Sequence, residues 1–455
     1  MTDTLREALR DRADRAQAYD VYDRAMRTAR RRRQRRIAAA AATIALLAAG
    51  AVSLPRSVLA ERVVTPADHG PSLPDRVGPP HGAPSVSSDP AGPAALVFSD
   101  VDGLVFVGAF DDTYRTWAVQ GQAYPDAKLG ESVLLSPDGT RLAHPSKQGE
   151  CRVALCGSGP PPSPIADSTA HPMVLDLRTG RSWAASAPVE EDPPFSLAQY
   201  VPLAWSPDGH TLAVATLVNG RGELKYKAIG LLDTDAASYR RLAAVDVLYG
   251  GLGRAAFSPD GRRLAVQGGP GSGPLRVFDL DSGAVDQFDL PFPENLAGKG
   301  AWTPDGSALV TVSGDSGLPD GDARLTLRDP RTGSNRTGPD WRLPADAINV
   351  RILGWTRVGE PVVAVDVRVT SDDTRYDQTV RVLAVRVGAE PRTVLDVPAE
   401  VLDVASDVIA TSRIRPGHPP VDWMRVAFIG VLATALAGLT LLVTHRRRRR
   451  RRVTY

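Results

Sequence analysis

The chain has 455 residues, 54 of them Lys or Arg and 52 Asp or Glu, for a formal net charge of +2. That near balance hides a partition: residues 1–36 carry 12 Arg and 6 acids and residues 446–452 are 7 Arg, which leaves 35 basic and 46 acidic residues among the rest. A middle region with 11 surplus acids repels a phosphate backbone on average, which excludes nucleic acid as its partner.

The first predicted element is a basic leader over residues 1–36. Leu5, Ala8, Leu9, Ala13, Ala16 and Tyr19 recur at near-helical spacing with charges between them, which predicts a weakly amphipathic helix. Such a helix can lie against anionic lipid or dock a cytoplasmic partner. It ends in Arg30, Arg31, Arg32, Arg33, Arg35 and Arg36, and residues 37–54 then run for 18 residues without a charge. That length spans a bilayer, and positive flanks stay cytoplasmic, so the leader is expected inside. A rival reading is a signal sequence cleaved after Ala60, since Val58-Leu59-Ala60 has small residues at processing spacing. A 36-residue leader is long for that role. Residues 55–94, rich in Pro, Gly, Ser and Asp, read as an extended extracytoplasmic linker.

Residues 95–412 carry a repeat. Ser136-Pro137-Asp138-Gly139, Ser206-Pro207-Asp208-Gly209, Ser258-Pro259-Asp260-Gly261 and Thr303-Pro304-Asp305-Gly306 each stand between two short apolar runs. Proline presets φ at the first corner of a turn, Asp hydrogen-bonds its own backbone there, and Gly accepts the positive φ that re-enters a strand. Each copy therefore predicts a hairpin. A second turn follows within the unit, at Asp176 to Gly180, Asp279 to Gly283 and Asp329 to Gly333, giving roughly four strands per unit, the number in a propeller blade. Taking Leu135, Trp205, Phe257 and Trp302 as markers, weaker copies follow Phe98 and Trp355, and a shortened one lies in residues 401–411. The spacing suits propeller repeats of ~40–50 residues. Seven first strands predict seven blades, with a strand near residues 60–65 completing the last; six blades is the alternative. The hairpin resembles that of the TolB-like branch of the WD40-type propellers, whose blades carry Ser-Pro-Asp-Gly. The resemblance implies an all-β propeller and leaves function open, because propellers host binding and catalysis alike.

Chemistry is sparse. Cys151 and Cys156, in a segment expected outside the membrane, read as a local disulfide rather than free thiols, on compartment alone. The Pro-rich run 157–164 and the whole of residues 146–170 form a long connection, the expected partner-contacting surface. Gly314-Asp315-Ser316-Gly317 imitates a protease nucleophile segment but lacks a positioned base. Pro319-Asp320-Gly321-Asp322, and Asp100 with Asp102, could hold Ca²⁺, though solvated turns are the plainer reading. Gly268 to Gly273 is glycine-rich without a following helix to receive an anion, so it is a strand connection. No cofactor is expected.

After a short linker, residues 413–425, comes a second apolar run of 19 residues, 426–444, with Trp423 at its edge as an interfacial aromatic. The tail, residues 445–455, holds Arg446, Arg447, Arg448, Arg449, Arg450, Arg451 and Arg452. Both charge runs then face inward. The expectation is a bacterial plasma-membrane protein with two transmembrane helices, both termini cytoplasmic, and an acidic propeller held outside as a binding or sensing platform for an envelope protein or ligand. Two alternatives stand beside it. The layout resembles anti-sigma regulators, with the leader coupled to a cytoplasmic partner but without their zinc-binding pattern, and an envelope hydrolase could assemble its site from blade loops.

Overall fold

The computed structural model describes Glu7 and residues 70–420, apart from residues 101–102, 118–132, 146–171, 186–197, 221–222, 249–251, 269–272, 314–322, 369–377 and 398–400. The chain divides into residues 66–421 and a second unit made of the two ends, 1–65 and 422–455; the elements below belong to the first. The two expected spans, both Arg runs, and Cys151 with Cys156 lie outside the described residues. Among the described residues no helix is long and apolar enough to cross a membrane.

In chain order, β1 (Leu73–Pro74) is followed by β2 (Ala94–Asp100), β3 (Gly103–Gly108) and β4 (Tyr114–Trp117). Then come β5 (Leu134–Leu135), β6 (Arg141–His144), β7 (Met173–Asp176) and β8 (Arg181–Ala184). The long strands β9 (Ala198–Trp205), β10 (Thr211–Gly220), β11 (Glu223–Asp233) and β12 (Ser238–Leu248) precede β13 (Leu252–Phe257), β14 (Arg263–Gly268), β15 (Leu275–Asp279) and β16 (Val285–Phe288). Next are β17 (Asn295–Leu296), β18 (Leu309–Ser313), β19 (Arg324–Arg328) and β20 (Asn335–Arg336), then β21 (Ala347–Trp355), β22 (Pro361–Arg368), β23 (Gln378–Ala384) and β24 (Arg392–Val397). β25 (Val401–Val404), the helix α1 (Ser406–Ala410) and β26 (Ile414–Arg415) end the described chain.

These strands form six four-stranded antiparallel sheets, the blades of a propeller, and one two-stranded parallel ribbon, β1 with β26. Five blades are consecutive quartets from β5 to β24; the first blade has the order β25-β2-β3-β4. The expectation of seven blades is thus corrected to six. The chain enters the ring part-way through a blade, and its last strand supplies the missing inner position, pairing Leu96 with Val404 and Phe98 with Val401. The weak copies at Phe98 and at residues 401–411 are two pieces of one sheet, which sequence spacing counts twice. The strand expected near residues 60–65 lies outside the described residues.

Period-2 patterning explains why a ring forms. In β3, Leu104 and Phe106 pack with Leu135 and Leu142 of the second blade, while Val105 and Val107 pack with Val362 and Val382 of the sixth. In β10, Leu212 and Val214 join the second blade and Ala213 and Ala215 join the fourth. Both faces of every sheet are apolar, and only flanking sheets on both sides can remove them from water. The first strand of each blade is innermost.

Each Ser-Pro-Asp-Gly motif makes a hairpin as expected. The Gly139 N–H donates to Ser136 O at 2.9 Å, with Gly139 at φ +72°, and the Asp138 carboxylate accepts from the Ser136 hydroxyl at 2.7 Å and the Thr140 N–H at 3.0 Å. These hairpins and the Asp-to-Gly turns, such as Asp176 to Gly180, lie at one end of the strands, which we call the turn face. At the other end, the loop face, connections run to 28 residues between β6 and β7 and 16 between β4 and β5. Every internal segment outside the described residues joins strand ends on the loop face.

The segment read as an extended linker is laid on the propeller from residue 70 onward. Leu73 pairs with Ile414, and residues 84–86 run along the edge strand β4, where Thr116 N–H donates to Pro84 O at 2.9 Å and Val86 N–H donates to Thr116 O at 2.8 Å. A segment poor in helix formers and rich in Pro covers an edge strand that would otherwise template aggregation. Arg415 fixes this arrangement, donating to Gly108 O at 2.7 Å and Ala109 O at 3.1 Å and pairing with Asp112 at 3.2 Å. Both ends of the described chain therefore leave the ring at the turn face of the first blade.

Candidate functional site

The inner strands direct three cations and one carboxylate toward the axis. Lys299 owes its position to a bulge: β17 pairs Leu296 with Thr311, and pairing resumes only at Trp302 with Leu309. The intervening Gly298-Lys299-Gly300 is thrown inward. Gly298 sits at φ +101°, and a Cβ on Gly300 would come within 2.9 Å of Gly354 N, so both flanking positions require glycine. Lys299 Nζ then reaches past the sixth blade to Asp403 Oδ1 at 2.7 Å and Val404 O at 2.6 Å in the first.

Asp403 is 2% exposed and fully engaged. Its Oδ2 accepts the Leu135 N–H at 2.8 Å and its Oδ1 accepts its own neighbour's N–H, Val404, at 2.9 Å. One carboxylate thus ties the closing strand to the second and fifth blades. Arg254 of the fourth blade donates to Leu296 O at 3.1 Å and Val350 O at 3.0 Å, and Arg351 of the sixth donates to Val401 O. Among the described residues these three cations are offset by Asp403 and by Asp407, which also feels the Lys299 charge. Their partners are chiefly main-chain carbonyls, so the cluster's first effect is to hold inner strands together.

The tryptophan markers act in the same sense. Trp205, Trp302 and Trp355 each donate Nε1–H to a carbonyl of the preceding blade's inner strand, at Leu134 (3.0 Å), Ala256 (3.0 Å) and Gly300 (2.8 Å). Leu135 has no such donor, and at that seam Asp403 supplies the link instead.

The blade-turn residues are structural. Pro137, Pro207, Pro259 and Pro304 shape the turns, Gly209, Gly261 and Gly306 sit at φ +72°, +71° and +66°, and the carboxylates are consumed locally. The Thr303 hydroxyl and Ser307 N–H hold Asp305 down to about 2, and the Ser258 hydroxyl lowers Asp260. At Asp138 and Asp208 burial pushes upward, and the hydrogen bonds from Ser136 and Thr140, or Ser206 and His210, outweigh it. Acids this well satisfied are poor ligands for anything else.

On the loop face, His144 ends β6 where residues 146–171 begin. Its Nδ1 lies 2.8 Å from Pro145 O, an acceptor that requires the proton on Nδ1, and Nε2 is buried without a hydrogen bond. Trp117 packs edge-on with ring centroids 4.7 Å apart. Burial holds the imidazole at about 4, so it is neutral at ordinary pH.

The candidate disulfide Cys151 and Cys156, the connection 146–170 and the Ca²⁺ segment 319–322 lie outside the described residues, as does Asp102, whereas Asp100 ends β2. Among the described residues no three His, Cys, Asp or Glu side chains gather as a metal site. Sequence reasoning missed Lys299, Asp403, Arg254 and Arg351. A signal did exist for one: a lysine between two glycines just ahead of the Trp302 marker, in a chain with 5 Lys among 54 basic residues.

No protein-family model matches the chain, and no curated protein matches it. Among solved structures it is similar to a putative TolB from Agrobacterium tumefaciens, at 18% identity and TM-score 0.33 over 55% of this chain and 78% of that one. It is also similar to TolB from Acinetobacter baumannii, at 14% identity and TM-score 0.33 over 72% and 84%. An oligogalacturonate lyase in complex with manganese matches at 16% identity and TM-score 0.40 over 65% and 70%. The assignment as a six-bladed propeller stands on the strand pairing described above, and function is left open by it.

Proposed function

We propose that the chain is a membrane-tethered binding platform of the bacterial envelope, its propeller held outside by the apolar segments 37–54 and 426–444. The observation that carries this reading is the division of labour between the two ends of the ring. Tight turns and both exits of the chain share the turn face, and the long connections all spring from the loop face. Loops on a rigid scaffold are where recognition resides, and the face away from the tethers is the one a partner can reach. The partner is an envelope protein or ligand, and the acidic surplus of the outer region favours one with basic character.

The test is site-specific photo-crosslinking in intact cells, with the crosslinker at loop-face Phe292 or at turn-face Val358. Adducts confined to position 292, and lost when residues 146–171 are replaced by a short glycine-serine loop, support the platform. Equal adducts at both positions overturn it. Turnover of ester, peptide or glycoside substrates by the purified protein would replace the platform with a hydrolase.

A further inference from the structure

The turn face carries an apolar and cationic rim where the chain leaves, and a further exposed apolar tip, Val387 at 62%, on the turn between β23 and β24. Ile414 is 36% exposed, Phe110 54% and Val358 77%. They are brought together by the backbone around residues 412–415. Ser72 N–H and Arg415 both donate to Ala109 O, which sets Phe110 beside β26. The Arg357 N–H donates to the Ser412 hydroxyl at 3.1 Å, which sets Val358 beside the same segment. Arg357 and Arg413 are exposed next to them, as is Arg76, whose side chain is 64% exposed and pairs with Asp75 at 3.6 Å.

We infer that this rim rests on the lipid bilayer, with Phe110, Val358 and Ile414 entering the interface and the arginines meeting anionic headgroups. The inference builds on the proposed tether. The described chain ends at residue 420, six residues short of the apolar run 426–444. At ~3.3–3.6 Å per residue, that stretch cannot carry the rim far from the membrane surface. Apolar side chains ringed by arginine are the composition of an interfacial contact. Two surface-exposed apolar tips on tight turns, at Phe110 and Val358, have no packing role inside the ring to explain them. Asp112 beneath the rim is already neutralised by Arg415 at 3.2 Å and faces His418 at 2.7 Å, so it presents no unpaired charge to the headgroups. Seating the propeller this way fixes the loop face outward, and a ring held by two tethers no longer tumbles against the surface.

The experiment uses the full-length chain reconstituted into vesicles of phosphatidylglycerol and phosphatidylethanolamine with brominated acyl chains. Tryptophan is introduced singly as V358W, F110W and, on the opposite face, F292W, and the parent protein's fluorescence is subtracted. Side chains that enter the interface by ~5–10 Å contact the bromines, so the added emission at 358 and 110 falls about twofold or more while that at 292 is unchanged. Protein that floats with the vesicles but shows no quenching at 358 and 110 overturns the docking and leaves the tether intact. Protein that does not float with the vesicles overturns both.

Discussion

Removing the positive partner from the axis tests whether the Lys299 and Asp403 pair closes the ring. Asp403 is 2% exposed and the Lys299 side chain 17%, so neither charge can be fully rehydrated when the other is lost. Cutting one member of a fully buried pair costs about 3–5 kcal/mol. Lys299→Met is expected at about 2–3 kcal/mol, below that range, because the carboxylate keeps the N–H groups of Leu135 and Val404. Asp403→Asn should cost more, about 3–4 kcal/mol: it strands the ammonium and turns an amide NH₂ toward donors. The double variant should then recover about 1–3 kcal/mol relative to the sum, since the two changes remove one shared interaction. Guanidinium unfolding of the purified protein, followed by tryptophan emission, supplies the three values. Strict additivity, or single costs of ~0.5 kcal/mol as for an exposed pair, would refute the claim that this carboxylate secures β25.

Gly139→Ala and Gly261→Ala impose the same left-handed penalty of ~1 kcal/mol, with φ +72° and +71°. Only at Gly139 would the new Cβ also meet a neighbouring blade, at 2.0 Å from Ala94 O against 3.7 Å from Pro207 Cδ at Gly261, so the first should lose at least ~2 kcal/mol more in unfolding experiments. Trp302→Phe removes the donor to Ala256 O while Arg263 remains stacked over the ring; a loss of about 1–2 kcal/mol is expected, read from the same denaturant midpoint. His144 provides a pH signature. Its folded value of about 4 lies below the ordinary 6.5, so the neutral form's contribution is complete above pH ~6.5 and is lost as pH falls toward 4, on the order of 3 kcal/mol in all. His144→Asn should flatten that part of the stability profile, and an unchanged slope would mean that the imidazole is solvated.

What could be read from the sequence follows from which interactions are local. The Ser-Pro-Asp-Gly turns are local: a proline, an Asp bonding two residues on and a glycine with positive φ specify a hairpin whatever surrounds them, so four of the blades were legible. Blade number is not local. It depends on whether Val401 to Val404 pairs with Leu96 to Phe98, some three hundred residues apart, and two half-blades at the ends of a repeat look like two blades. Lys299, Asp403, Arg254 and Arg351 were hidden for the same reason, since they meet only after closure places residues 254, 299, 351 and 403 around one axis. The packing of residues 70–86 was obscured differently. Proline and glycine announce the absence of helix, and an edge strand in need of cover makes an extended segment useful without any apolar periodicity.

Closure also bears on how the protein works. A propeller sealed by its own C-terminal strand has its weakest seam where the first blade meets chain from both ends, and this one reinforces that seam repeatedly. Asp403 links it to two other blades, Ala405 N–H donates to Ala95 O at 2.9 Å, and Val408 and Ile409 of α1 are buried against the sixth blade. Arg415 clamps the parallel ribbon below. A force or displacement carried along residues 416–425 would meet Arg415 and the ribbon before it reached β25. Under the proposed double tether that order of strength protects the ring, because a pull from either end is taken up by Arg415 and the ribbon before it bears on the strand that keeps the ring shut.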